Sequence, residues 1–301
     1  MTGLELAQLK KFLRAQYGLG AFAIAPVTGG VVNTNFKIST ADGGYLFKIY
    51  NFKEAGEVAF EVAALQELGR WDFPCPRLVA STVGSMIGEF GGKPCLLYEF
   101  IHGASQRAWD ATMLYHVGVL MGRMHALLGN FEPRTRYGVW DHDTLPTLIR
   151  TRGQELMERG FPGAKELMTR LTSELTQIRL PHDLPMGFTH QDIKPENVII
   201  RDKNVVGIVD FDNSYYGTLL HDITTTIIWS CYKNSVLDSH LVARLLAGYE
   251  TQRPLTRDEK KYFDPALKFR LLREAFISPF AGGPERFALT KQRSEYFLRL
   301  V

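Results

Sequence analysis

The sequence predicts an α+β protein with a small N-terminal β-sheet that carries one helix, followed by a larger, mainly helical part. Short β-rich runs separated by turn residues occupy residues 22–50. After Gly103, long segments with helical periodicity dominate, and one β-rich island at residues 197–210 interrupts them. The chain has 301 residues, of which 45% are hydrophobic and 22% charged. This length and composition suffice for one large domain or two lobes with a packed core.

The N-terminal elements follow from the spacing of apolar residues. Residues 3–16 carry apolar side chains at helical spacing, so we expect an amphipathic helix beside the first sheet. Asp42-Gly43-Gly44 separates two β-rich runs and is typical of a hairpin turn. Helical periodicity returns over residues 54–69, and two prolines end any continuation. The apolar run over residues 95–98 predicts a buried strand.

The rest of the chain predicts six helices and one hairpin. The hairpin strands are expected over residues 197–201 and 205–210. The joint at residues 100–104 contains no long Gly/Ser linker, so we expect a short hinge between an N-terminal lobe, residues 1–101, and a C-terminal lobe, residues 102–301. The helices are predicted over residues 109–129, 143–159, 163–179, 219–232, 236–250 and 257–275.

Charge and composition exclude several classes of protein. The 35 basic and 32 acidic residues leave a formal charge of +3, which argues against a dedicated nucleic-acid or membrane-surface binder. Three cysteines lie far apart and fit no metal-ligand spacing, and the histidines show no pairing that suggests a metal. The longest nearly apolar stretch, residues 17–27, is too short to span a bilayer, and the N-terminus has no secretory pattern. We expect a cytoplasmic monomer or homodimer.

The residues that carry chemistry lie around the predicted hairpin. Asp192 and Asn197 occur in the stretch His190-Gln191-Asp192-Ile193-Lys194-Pro195-Glu196-Asn197, and Asp210 ends the second strand. Three oxygen donors at the edges of one hairpin can converge. Phosphoryl transfer needs one carboxylate that orients a hydroxyl and accepts its proton, and hard oxygen ligands that hold Mg²⁺ on nucleotide phosphates.

A lysine in the first sheet adds to this pattern. Lys48 lies within an apolar strand, where a lysine is often only a solubilising residue. Its place after a Gly29-Gly30 turn and before a helix with Glu61 favours phosphate binding instead. We predict that Lys48 holds the α and β phosphates and that Glu61 holds Lys48 by a charge-assisted hydrogen bond. Glu57, one helical turn earlier, is the alternative partner.

With these residues the chain resembles the kinase-like phosphotransferases, which share the pattern His-x-Asp-x-x-x-x-Asn followed by a hydrophobic strand pair that ends in Asp. The resemblance implies a two-lobed protein-kinase-like fold that binds ATP and Mg²⁺ in the cleft between its lobes. It also implies that Asp192 is the catalytic carboxylate, that Asn197 and Asp210 bind the metal, and that His190 braces the loop.

Further features distinguish the branches of these kinases. Lys194-Pro195-Glu196 resembles the protein kinases, and Lys194 is expected to reach the γ-phosphate. The chain has no Ala-Pro-Glu segment, and the stretch with Asp222 follows Asp210 where an activation loop would be. In both features the chain resembles the small-molecule branch, which includes aminoglycoside, choline, methylthioribose and type II homoserine kinases. The resemblance implies that Asp222 is the structural aspartate that this branch has at a helix start. A simple N-cap is the alternative. The same resemblance implies that backbone groups of Glu99 and Ile101 bind the adenine edge.

Two stretches resemble type II homoserine kinase most closely: the loop at residues 29–36 and the arginine-containing segment at residues 267–278. Homoserine is a zwitterion, so its pocket needs a cation for the carboxylate and an acceptor for the ammonium group. Arg270 or Arg273 is the predicted cation, and Asp212 is the predicted partner of the ammonium group. The expected acceptor is therefore the side-chain hydroxyl of L-homoserine.

Other acceptors remain as alternatives. A choline or ethanolamine kinase needs aromatic rings around the ammonium group, and the candidates after Asp210 are Tyr215, Tyr216, Trp229 and Tyr232. An aminoglycoside kinase wants a strongly acidic cleft, whereas acidic and basic residues are interleaved over residues 250–264. A sugar kinase of the methylthioribose type is a further alternative, and the sequence leaves the choice between ATP and GTP open. A nucleotide-binding pseudokinase is the alternative from another class, and the filled catalytic positions argue against it.

Overall fold

The computed structural model describes residues 3–27, 32–132 and 142–301. The packing of the Cα atoms divides the chain into two units. The first comprises Met1–Ser105 and Val198–Asp212, and the second comprises Gln106–Asn197 and Asn213–Val301.

Helices and strands are named here in chain order. The helices found within the described residues are α1 (Gly3–Tyr17), α2 (Ala55–Arg70), α3 (Ala111–Leu127), α4 (Leu145–Glu158), α5 (Ala164–Thr176), α6 (Leu220–Ser230), α7 (Ser239–Glu250), α8 (Arg257–Lys261), α9 (Phe263–Ile277) and α10 (Phe287–Leu300). The strands are β1 (Phe22–Pro26), β2 (Thr34–Thr40), β3 (Gly43–Ile49), β4 (Gly88–Phe90), β5 (Lys93–Glu99), β6 (Met186–Thr189), β7 (Val198–Arg201), β8 (Asn204–Ile208), β9 (Tyr215–Thr218), β10 (Tyr232–Lys233) and β11 (Val236–Leu237).

The first unit is built on an antiparallel sheet with strand order β1-β2-β3-β5-β4. The predicted hairpin at Asp42-Gly43 is confirmed, since β2 and β3 pair as neighbours from Thr40 and Gly43 onward. Helix α1 packs on the sheet as expected, and its Leu9 and Leu13 are buried against strand residues such as Phe47. The sequence did not predict β4, because three residues are too short to show a strand periodicity.

The predicted hairpin of the second half forms as β7 and β8, which pair with each other. Asp202 and Lys203 in its turn have φ angles of 51° and 65°, as a mirror-image two-residue turn requires. Strand β8 ends at Ile208, shorter than predicted. We expected the hairpin in the C-terminal lobe, but its backbone bonds to Pro74 and Ala104 group it with the first unit.

The second unit is mainly helical, and two glycines bring its helices α3 and α7 into close contact. A Cβ atom on Gly118 would lie 2.1 Å from the carbonyl oxygen of Leu245, and one on Gly248 would lie 2.0 Å from that of Tyr115. Only residues without a side chain allow the two backbones to approach so closely. These contacts fix α3, whose residue His125 supports the candidate site described below.

The last helices of the second unit differ from the prediction. The helix expected over residues 257–275 is divided at Tyr262 into α8 and α9, and α8 starts with a capping box of Thr256 and Glu259. Helix α10 was not predicted, since two of the residues that it buries are the polar Thr290 and Ser294, which weaken the apolar periodicity.

Two predictions about composition can also be compared with the structure. The three cysteines are buried and free, and burial raises the pKa of Cys75 to about 11 and the pKa values of Cys95 and Cys231 to about 12. Their thiol groups are therefore protonated at neutral pH. Among the described residues, no helix is long and apolar enough to cross a membrane.

Candidate active site

The first unit contains a cluster of charged side chains centred on Lys48, which we call the lysine cluster: Asn33, Lys48, Lys53, Asp210 and Asp212. Lys48 lies on β3, and its Nζ atom is 3.0 Å from Asp210 Oδ1 and 3.2 Å from Asp212 Oδ2. Asp212 Oδ2 also accepts a hydrogen bond from Asn33 Nδ2, and Lys53 Nζ donates to the backbone carbonyl of Asp212. The sheet and the β7–β8 hairpin thus bring Lys48 and Asp210 together, a pairing that the sequence had not predicted.

Burial and charge act against each other in this cluster. Burial alone lowers the pKa of Lys48, but the carboxylates of Asp212 and Asp210 outweigh it, and the pKa of Lys48 lies well above its ordinary value. Burial raises the pKa of Asp212 to about 6, although the charge of Lys48 opposes the shift. The side chain of Asp210 is 43% exposed, against 10% for Asp212. Asp210 is therefore the carboxylate of this cluster that an incoming cation can reach.

The contacts of Asp212 do not fit the predicted role of binding the ammonium group of the acceptor. The residue is 8% exposed, and its carboxylate is already engaged by Lys48 and Asn33. The sequence could not reveal this, because the partners come from distant strands and loops. Asp212 instead helps to hold Lys48.

The predicted hydrogen bond between Glu61 and Lys48 is also corrected. In the described structure the Glu61 carboxylate accepts from the hydroxyls of Tyr50 at 2.7 Å and Tyr98 at 2.8 Å, and Lys48 pairs with the two aspartates. The negative charge of Glu61 still contributes to the raised pKa of Lys48. The alternative, Glu57, accepts from the backbone N–H of Glu54 in the capping box of α2. Glu61 therefore acts on Lys48 through space.

The segment predicted to bind adenine follows β5. The N–H of Glu99 donates to the carbonyl of Arg77, so its carbonyl is the group that it offers to a ligand. The side chain of Ile101 lies against Gly207, where a Cβ atom would come within 2.6 Å of it. Adenine binding by these two residues stays a prediction. Gly29 and Gly30, predicted to approach the phosphates, lie outside the described residues.

The second unit contains the predicted catalytic loop after β6. Both carboxylate oxygens of Asp192 lie 2.8 Å from Lys194 Nζ. Asn197 Nδ2 donates to Asp192 Oδ2 and to the backbone carbonyl of Asp192, both at 2.9 Å. With its nitrogen engaged in this way, Asn197 offers Oδ1 as its ligand atom for a cation. The structure thus brings Asp192 and Asn197 together, as predicted, and adds a direct contact between Asp192 and Lys194.

A buried aspartate holds the backbone of this loop. Asp222 is fully buried near the start of α6, and its carboxylate accepts from the N–H groups of His190 at 2.7 Å and Gln191 at 2.6 Å. His125 Nε2 lies 3.0 Å from the same carboxylate, and its Nδ1 lies 2.8 Å from the hydroxyl of Tyr249. The expected structural role of Asp222 is confirmed, and the N-cap alternative is wrong because the partners are loop amides.

The arginines predicted to bind the acceptor carboxylate instead hold the loop. Arg270 donates from Nη1 to Gln191 Oε1 and from Nη2 to the Gln191 carbonyl, both at 3.0 Å, and Arg273 Nη1 also donates to Oε1 at 3.0 Å. The two arginines are only 2% and 5% exposed. Gln191 has a φ of 69°, an uncommon conformation that these bonds stabilise. The predicted substrate role therefore does not fit their position.

The sequence interpretation missed Arg293 beside the catalytic loop, and it considered Trp229 only among the aromatic residues that could surround an ammonium group. Lys194 Nζ lies 5.4 Å from the ring centroid of Trp229, and Arg293 Cζ lies 4.5 Å from the same centroid. Phe297 packs edge-on against Trp229. Arg293 belongs to α10, the helix that the periodicity did not reveal, so no local signal connected it with the loop.

Comparison with known proteins agrees with this geometry. Residues 23–260 match the model of the Phosphotransferase enzyme family. The match covers most of the chain, and the chain belongs to this family of kinases.

Its curated relatives include two homoserine kinases. The enzyme of Neisseria meningitidis serogroup B is 24% identical over 279 residues, which cover 90% of this chain and 88% of that protein. The enzyme of Brucella melitensis biotype 2 is 26% identical over 309 residues, with coverage of 99% and 92%. The similarity therefore extends over nearly the full length of these relatives.

Solved structures show the fold. The amicoumacin kinase hAmiN, solved in complex with AMP-PNP and Ca²⁺, matches with a TM-score of 0.71 at 17% identity and coverage of 99% of this chain and 96% of that one. Spectinomycin phosphotransferase, solved with ADP and spectinomycin, matches with a TM-score of 0.65 at 12% identity and coverage of 97% and 93%. The predicted two-lobed α+β kinase-like fold is confirmed.

Proposed function

We propose that this protein is an ATP- and Mg²⁺-dependent kinase that phosphorylates the side-chain hydroxyl of L-homoserine. The arrangement of Asp192, Lys194 and Asn197 on one braced loop carries the proposal. The Asp192 carboxylate takes the proton of the acceptor hydroxyl, whose oxygen forms a bond to the γ-phosphorus. The bond from that phosphorus to the β–γ bridging oxygen breaks, and ADP leaves with the bonding electron pair.

The remaining charged residues have separate tasks in this proposal. Lys48 binds the α and β phosphates, and a raised pKa keeps it charged for that purpose. Lys194 lies against Asp192 and offers its charge to the transferring phosphoryl group. Asp210 and Asn197 Oδ1 are hard oxygen donors of the kind that Mg²⁺ prefers, so the residues present fit this metal. Bound Mg²⁺ neutralises the charge on the phosphates.

The charges near the catalytic loop support an acceptor with a carboxylate. Lys194 and Arg293 both lie against Trp229, and Arg293 is exposed. Since Arg270 and Arg273 are buried against Gln191, Arg293 is our candidate for the carboxylate partner. Two cations on this surface disfavour a polycationic aminoglycoside by like-charge repulsion. The names of the curated relatives support the same choice of acceptor.

Release of ADP, measured with a panel of acceptors, tests the proposal. We expect homoserine to exceed serine in kcat/KM by about 10-fold or more, because the two acceptors differ by one methylene group. Choline, methylthioribose and aminoglycosides are the other members of the panel. Equal turnover of homoserine and serine, or a preference for another acceptor, contradicts the homoserine assignment. Tight ATP binding without turnover of any acceptor supports the pseudokinase alternative.

The role of Arg293 has a separate test. Arg293→Ala should raise the KM for homoserine by about 10-fold or more and change kcat less, since an exposed arginine binds the carboxylate equally before and during reaction. Arg299→Ala, which removes another exposed arginine of α10, is the matched control and should leave both constants unchanged. Equal effects of the two variants contradict the assignment of Arg293 but not the kinase activity.

A cytoplasmic location and a monomeric or homodimeric state belong to the same proposal.

A further inference from the structure

A second group of potential ligands lies in the second unit and shares no residue with the sets assigned above. His142 Nε2 is 3.3 Å from Asp143 Oδ1, and His182 Nδ1 is 3.1 Å from the same oxygen. Potential ligand atoms of the three residues all lie within 4.8 Å of one another. The sequence suggested no pairing among the histidines, because His182 is far from His142 along the chain. The fold brings them together.

The distances fit a single bound ion. In a tetrahedral zinc site with metal–ligand distances of about 2.1 Å, neighbouring ligand atoms are about 3.4 Å apart. The two nitrogen–oxygen distances of 3.3 and 3.1 Å agree with this separation. Two imidazoles and one carboxylate are the ligands that Zn²⁺ accepts readily, whereas Mg²⁺ prefers oxygen ligands alone.

The two histidines of this group differ in how firmly they are held. The ring of His142 packs edge-on against the rings of His221 and Phe269, with centroids 6.3 and 6.2 Å away. The side chain of His182 is 84% exposed, so its ring can turn without disturbing the core. One packed ligand, His142, and one adaptable ligand, His182, let the site close around an ion.

We propose that His142, Asp143 and His182 bind one Zn²⁺ ion, with water in the fourth position. His142 and Asp143 directly precede α4, and His182 lies between α5 and β6, the strand that leads into the catalytic loop. The ion would cross-link the start of α4 to this segment. It takes no part in phosphoryl transfer, since the catalytic carboxylate and the predicted Mg²⁺ ligands are other residues.

Titration of the metal-free full-length chain with Zn²⁺, and with Co²⁺ as a spectroscopic probe, tests the proposal. We expect stoichiometric Zn²⁺ binding, a rise in the melting temperature that EDTA reverses, and a visible Co²⁺ spectrum typical of nitrogen and oxygen ligands. His182→Ala should weaken Zn²⁺ binding by about 100-fold or more and abolish both signals. This residue is exposed, so the variant should keep the melting temperature of the metal-free wild type.

His240→Ala, which removes an exposed histidine from α7, is the matched control and should bind Zn²⁺ as the wild type does. The comparison with His182→Ala separates this site from Zn²⁺ bound at the predicted Mg²⁺ ligands. Equal Zn²⁺ affinity of the wild type and His182→Ala overturns the proposal. A different outcome is that the stability of the wild type and His182→Ala differs in a pH-dependent way that added metal does not change. This result would show a plain His–Asp ion pair and would also overturn the proposal.

Discussion

The two sets of proposed catalytic residues are held in different ways. In the lysine cluster of the first unit, the functional groups hold one another, because Lys48 pairs directly with Asp210 and Asp212. In the second unit, residues that do not take part in the reaction hold the catalytic loop. Asp222 binds its backbone amides, and Arg270 binds Gln191.

The two sets of residues should therefore control different quantities: the lysine cluster controls ligand affinity, and the partners of the catalytic loop control the rate of transfer. A ligand that reaches the lysine cluster must exchange existing ion pairs for new ones, so substitutions there should change the affinity for the nucleotide and its metal. The catalytic loop keeps its geometry through buried partners before any ligand arrives. Substitutions among those partners should therefore lower the rate of transfer and leave ligand affinity largely unchanged.

The largest expected effect on binding comes from Asp210→Asn. Asparagine tolerates the φ of 70° found at this position, so the backbone should persist while a charged metal ligand is lost. We expect the dissociation constant for ATP in the presence of Mg²⁺ to rise roughly 30-fold or more, which corresponds to about 2 kcal/mol. Calorimetry measures this change.

The control for Asp210→Asn is Asp202→Asn, which alters an exposed aspartate with a similar φ angle in the turn of the same hairpin. Its affinity for ATP and Mg²⁺ should equal that of the wild type. Unchanged affinity in Asp210→Asn would show that the metal is bound elsewhere. It would contradict the claim that the lysine cluster controls the affinity for the nucleotide and its metal.

Arg270→Lys should affect the rate rather than the affinity. Lysine cannot reproduce the two bonds that Arg270 donates to Gln191, so the loop should shift. We expect kcat to fall by about 10- to 100-fold, while the KM for the acceptor stays within about 2-fold. Steady-state kinetics with the preferred acceptor measures both constants, and Arg257→Lys at the exposed start of α8 is the control. An increase in KM at constant kcat would restore the substrate-binding role that the sequence suggested.

A smaller effect is expected for Glu61→Gln. The substitution removes the charge near Lys48 and leaves a buried amide against two tyrosine hydroxyls, so we expect a loss of about 1–3 kcal/mol in the free energy of unfolding. Glu57→Gln keeps a side chain that a capping box accepts and should change this free energy by less than about 0.5 kcal/mol. Denaturant unfolding compares the two. A larger loss in Glu57→Gln would contradict the stabilising role given to the buried contacts of Glu61 with Tyr50 and Tyr98.

The sequence predicted those parts of the site that depend on local patterns. The turn at Asp202 and Lys203 defines the hairpin, and the spacing from Asp192 to Asn197 lies within one loop, so both were recognised from neighbouring residues. Lys48 was recognised because it lies in an apolar strand after the Gly29-Gly30 turn and before the helix with Glu61. Each of these signals comes from local patterns and their order along the chain.

The parts that failed depend on contacts between distant segments. Glu61 was assigned to Lys48, but Tyr50 and Tyr98 reach its carboxylate from two strands of the sheet. Arg270 was expected to bind the acceptor, whereas it is buried against a loop far away in sequence. A periodicity shows which face of a helix is apolar, but it does not show which polar group another segment places against a charge.

The central claim, that Asp192 accepts the proton of the acceptor hydroxyl, is tested most directly with Asp192→Asn. The isosteric amide keeps the size of the side chain but cannot take the proton. We predict that kcat falls by about 10²- to 10⁴-fold, while the calorimetric affinity for ATP and Mg²⁺ stays within about 3-fold of the wild type. Asp202→Asn should keep both the kcat and the ATP affinity of the wild type. Turnover by Asp192→Asn at the wild-type rate would contradict the account, because another group would then have to be the base.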